Sequence, residues 1–142
     1  MNQIGRGALA GLIGTAAMTA GQMAEMRVTG RAASMVPGRV ASKLFGLEPK
    51  DHQALERTSL GMHWAHGVTQ GLVRASIGRL GLSGPAAALT HFTLMWSSDA
   101  LLYKALDISP WPWQWSLEEL APDVGHKALY VAATSAAYEQ LG

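Results

Sequence analysis

Five ionisable side chains are of types that could do chemistry together: Glu25, His63, His66, Asp99 and His126. Imidazole and carboxylate are ligands that zinc and iron take, and imidazole is a common axial ligand of a b-type haem. Histidines also titrate near neutral pH, which suits a proton or cation path. Two of the five belong to a longer series. On a helix, His63, His66, Gln70 and Arg74 fall on one stripe, at i, i+3, i+7 and i+11, with Leu60, Ala65, Leu72 and Ile77 opposite. The spacing His-x-x-His is common by chance, so the set gains meaning only from the elements that deliver its members.

Those elements read as helices. Four apolar segments, at about 5–26, 58–78, 84–105 and 126–141, are joined by two long polar connections and one tight Gly/Pro turn near Gly84 and Pro85. Antiparallel packing of the four would bring Glu25, His63 with His66, Asp99 and His126 to one level, one contribution from each helix. His91 sits deeper on the third helix. With Gln70 and Arg74 it extends the set into an interior polar column. The structural alternative is that side chains this near helix ends sit in a polar boundary layer and bind nothing specific.

At 142 residues the chain is one domain. A net charge of +1 gives no basic field for nucleic acid. The absence of cysteine excludes disulfides and thiolate metal sites. Charged residues make up 15%, against about 25% in ordinary soluble domains. Residues 7–24 carry no charge, and a helix there places Gly7, Gly11, Gly14 and Gly21 on a face with Met18, Gln22 and Glu25. Interior glycines destabilise a helix in water by about 1 kcal/mol each, whereas in lipid a small-residue stripe admits a second helix closely.

This combination leads to an all-α, four-helix transmembrane bundle as the expected fold, in preference to a soluble bundle or a cleaved leader. Pro37 opens a short helix in the first connection, read as an amphipathic segment at the membrane surface. Trp111, Trp113 and Trp115 suit a headgroup layer. Ser116 with Glu119 is a capping box. Lys127 and Glu139 are read as snorkelling from the last span. The Lys and Arg distribution places both long connections in the cytoplasm.

Ala-Ala-Met-Thr at 16–19, His-Trp-Ala-His-Gly at 63–67 and His-Lys-Ala-Leu-Tyr at 126–130 resemble the small four-span bacterial inner-membrane proteins of unknown function. The resemblance implies a polytopic fold in the bacterial inner membrane and carries no activity or site residues. No Walker loop, nucleotide fingerprint or zincin motif is present. The expected function is a non-enzymatic accessory or structural component of the lipid bilayer. It would self-associate, or meet a membrane partner protein, through the glycine face of the first helix. The alternative is a small proton or cation transporter, or a bundle binding zinc, iron or b-type haem through Glu25, His63, His66, Asp99 and His126.

Overall fold

The computed structural model describes all residues, Met1–Gly142. Five α-helices follow one another: α1 (Gln3–Thr29), α2 (Val36–Phe45), α3 (His52–Arg79), α4 (Gly84–Ala105) and α5 (Leu117–Gln140). A single 3₁₀ turn, Pro112–Gln114, lies between α4 and α5. Local chemistry explains the boundaries. Asp51 caps α3 by accepting from the Ala54 amide at 2.8 Å, so the helix starts well before the apolar pattern begins. The Ser116–Glu119 capping box starts α5, which continues through Pro122 to Gln140 as one helix. Gly30 and Gly46 end α1 and α2 with φ of 71° and 65°, left-handed positions that glycine reaches without a Cβ penalty.

The four long helices form the bundle, and α2 packs against the amino-terminal half of α3. Close packing centres on α1 and α3. Gly7 faces Ala75, Gly11 faces Gly71, and Thr15 faces Gly67, a register that steps by four on both helices. A Cβ on Gly11 would lie 2.5 Å from the Gly67 carbonyl oxygen, and one on Gly71 would lie 2.7 Å from the Gly11 Cα. The two backbones therefore touch, as only glycine permits. Gly14 turns instead toward α5, against Tyr130 and Thr134. The glycine stripe that composition offered to another molecule is thus filled by α3 and α5 of the same chain.

The expected transmembrane architecture is overturned. No helix is long and apolar enough to cross a membrane. Length is not the obstacle, since α1 and α3 have 27 and 28 residues. The obstacle is apolarity. Helix α3 carries His52, Glu56, Arg57, His63, His66, Gln70, Arg74 and Arg79, and α5 carries Glu118, Glu119, Asp123, Lys127 and Glu139. In α1 two-thirds of the uncharged run is glycine, alanine and threonine, which add little transfer free energy per residue. The inner-membrane, multi-pass location and its cytoplasmic connections fall with the spans. So does the interfacial role of α2: its Gly38, Val40 and Ala41 are buried, and the Gly38 amide donates to Ser59 Oγ of α3 at 2.9 Å. The fold is an all-α helical bundle.

Candidate functional site

Where the carboxy-terminal half of α1, the amino-terminal half of α3, the carboxy-terminal half of α4 and the start of α5 converge, they enclose a cavity of about 300 Å³. Helix α2 and the connection before α5 cover it, contributing Val40, Pro110 and Trp115. Met18, Met62 and Met95 complete an apolar wall. The facing wall is ionisable, with His63, His66, Asp99, Asp123, His126 and Lys127. Four of the five residues singled out for metal chemistry therefore share one cavity.

The polar wall is held by a chain of contacts. Asp99, 3% exposed, lies with both carboxylate oxygens 3.2 Å from His66 Nε2. Lys127 Nζ reaches the same carboxylate at 3.2 Å and Asp123 at 3.0 Å, one helical turn back on α5. Trp96 Nε1 donates to the other Asp123 oxygen at 2.9 Å. The Tyr103 ring lies 5.2 Å from the Lys127 ammonium. Burial raises the Asp99 pKa, but hydrogen bonding and charge from His66 and Lys127 outweigh it and hold the carboxyl below its ordinary value. Burial opposes the Lys127 charge, yet Tyr103, Asp123 and Asp99 overcome it and raise its pKa. Tyr103 is pushed up to about 12, chiefly by burial. The Asp99 carboxylate and the Lys127 ammonium are therefore ionised at neutral pH.

The histidines behave differently. Thr19 Oγ1 gives its single proton to the Thr15 carbonyl at 2.7 Å, so its 2.9 Å contact with His63 must use a proton on His63 Nε2. That leaves His63 Nδ1 as an acceptor. Asp99 likewise accepts a hydrogen bond from His66 Nε2, and His66 Nδ1 makes no hydrogen bond. An imidazole held this way can take a proton at the free nitrogen, the arrangement of a general base. Burial, and then the neighbouring His66, lower the His63 pKa. Burial also lowers that of His126, whose Nε2 has no hydrogen-bond partner and stands 3.7 Å from Glu25.

Glu25 does not join the cavity wall. It forms a two-pronged pair with Arg31, at 3.0 and 2.8 Å, just past the end of α1. The Arg31 hydrogen bond lowers its pKa to about 2. The five expected ligands thus divide into His66–Asp99, Glu25 near His126, and His63 on Thr19. No group of three or more His, Asp or Glu side chains is placed to hold a metal ion, so the zinc or iron reading lacks a donor set.

Deeper in the bundle, Gln70 and Arg74 continue along α3, and His91 belongs to α4. Gln70, Arg74 and His91 are 8%, 1% and 0% exposed. Arg74 donates through Nε to Ser135 at 3.0 Å and through Nη2 to Glu139 at 3.0 Å, and lies over the Tyr138 ring. Burial, reinforced by Arg74, lowers the His91 pKa to about 4. The sequence reading missed Lys127, Asp123 and Thr19 as members of the site. The spacing of Asp123 and Lys127, one helical turn apart, is the signal that was there to use.

No protein-family model, curated protein or solved structure matches this chain.

Proposed function

We propose that the chain is a non-enzymatic ligand-binding bundle whose end cavity takes a small organic cation: an apolar body carrying a hydrogen-bond-donating, positively charged end. The observation that supports this is the state of the polar wall. Each cation on the lining is already consumed by a carboxylate, Lys127 by Asp99 and Asp123 and Arg31 by Glu25. The Nδ1 atoms of His63 and His66 make no hydrogen bond. Among the lining residues, Asp99, Glu119 and Asp123 outnumber Arg31 and Lys127, so the surroundings favour positive charge. Methionine thioethers and the Trp115 ring suit the apolar body, and an aromatic face also attracts a cation. A volume of about 300 Å³ fits a small metabolite.

Phenethylamine and phenylpropanoate, alike in shape and opposite in charge, test the reading by calorimetric titration. The amine is expected to bind, to shift the imidazole resonances of His63 and His66, and to lose affinity at least tenfold in Asp99→Asn. Tighter binding of the carboxylate would refute it, as would binding of the amine without any response from either imidazole.

A further inference from the structure

The interior column contains an anomaly that the end cavity does not explain. Gln70 Oε1, Arg74 Nη1 and both ring nitrogens of His91 are buried without a hydrogen-bond partner. These four atoms belong to three side chains, each more than nine-tenths buried. They also belong to one neighbourhood. Gln70 and Arg74 are one turn apart on α3. The contact of His66 with Asp99 sets α3 and α4 antiparallel, and moving eight residues along each, about 12 Å, brings Arg74 level with His91. The Arg74 charge opposes protonation of the His91 ring, while the nearby Gln70 main chain favours it without making a hydrogen bond to either ring nitrogen. Buried polar groups in folded proteins are almost always paired, with protein or with ordered water. Four orphans in one place mark an occupant rather than four separate faults.

The chemistry of the four atoms identifies it. Arg74 Nη1 can only donate. Gln70 Oε1 can only accept. His91 is neutral in this position and therefore offers one donor and one acceptor. An occupant must accept from Arg74 and from one His91 nitrogen, and donate to Gln70 and to the other. A halide ion accepts only, and would leave Gln70 Oε1 and one imidazole nitrogen as they are. The positive charge of Arg74 is moreover already matched by Glu139 at 3.0 Å. We infer that the α3–α4 interface holds an internal hydration site, one or two ordered water molecules bounded by Gln70, Arg74 and His91. Water has the mixed capacity required, and buried waters characteristically make two to four such bonds. Met95, 2% exposed, lines the end cavity and lies one turn from His91 on α4, whereas none of Gln70, Arg74 and His91 lines that cavity.

Crystals grown in bromide in place of chloride test the assignment. Density at hydrogen-bond distance from Arg74 Nη1 and a His91 nitrogen, with no anomalous signal at the bromine edge, is the expected result. A bromine peak there would replace water by an anion, and an empty site would overturn the inference. In solution, long-lived internal water should give cross-relaxation at the water frequency to the His91 ring protons. His91→Leu should abolish the corresponding signal from the Gln70 side-chain amide. Absence of both signals in the unaltered protein would equally overturn it.

Discussion

Replacing Gly71 by alanine should separate the contribution of backbone contact from that of helix propensity. In an isolated helix the change is favourable by about 1 kcal/mol, because alanine loses less conformational freedom than glycine. At Gly71 the added Cβ would overlap the Gly7 carbonyl oxygen and stand 2.7 and 2.8 Å from Gly11 Cα and N. All three are backbone atoms of α1, so no rotamer change relieves them. The helices must part by about 1 Å, enough to forfeit a quarter to a half of the dispersion energy along the seam. Overpacking of this kind costs about 1–3 kcal/mol. Gly61 on the same helix supplies the control, since its Cβ would meet nothing within 4 Å. Gly61→Ala should therefore stabilise by about 0.5–1 kcal/mol. A gap of about 1.5–4 kcal/mol between the two variants is expected. With a slope of about 2 kcal/mol per molar urea, the midpoints should differ by about 0.75–2 M. Urea unfolding followed by circular dichroism reads this directly. Equal midpoints for the two variants would refute the close α1–α3 crossing.

Two further perturbations address the charged interior. Lys127→Met leaves Asp99 and Asp123 side by side without their shared ammonium, and should destabilise the fold by about 3 kcal/mol or more in urea unfolding at pH 7. Its deficit should shrink at a pH low enough to protonate one of the carboxyls, and a deficit independent of pH would count against the ion cluster. Acid should also expose His91. Its pKa is about 4 when folded against 6.5 when unfolded, so between these values the unfolded chain binds the proton and the folded chain does not. Stability due to this group is complete above pH 6.5 and falls as pH drops toward 4, by about 3 kcal/mol in all. Burial acts in the same direction on His63 and His126. Urea midpoints from pH 7 to pH 4 should therefore decline less steeply in His91→Leu than in the unaltered protein, and equal slopes would exclude His91 as a contributor.

The helices themselves were legible from periodicity and capping. Pro37 does open α2, and the Ser116–Glu119 box does start α5. The stripe from His63 to Arg74 does face the bundle interior. What periodicity could not distinguish was the purpose of a small-residue stripe. Gly7, Gly11 and Gly14 suit close approach in lipid or in water, and here the approach is to α3 and α5. Partner choice was also hidden. Lys127 looked like a residue reaching outward from a helix end, yet it is 8% exposed between two carboxylates. Glu25 looked like an interior ligand, but the chain reverses at Gly30 and brings Arg31 back onto it. Such pairings depend on where a loop turns, which spacing along a helix does not encode.

The glycine crossing of α1 and α3 also makes a fulcrum. Along the shared seam, glycine against glycine gives way to Thr15 against Gly67, and then to Thr19 against His63, so the separation widens toward the cavity. Backbone contact at the pivot leaves no side chains to compress or reorient, which makes it stiff to approach but tolerant of rotation. Gln22 lies about 16 Å along α1 from Gly11, so tilting α1 by about 5° would move the cavity wall by about 1.4 Å. A change in the angle between these two helices would therefore alter the width of the cavity without any change in the side chains that line it.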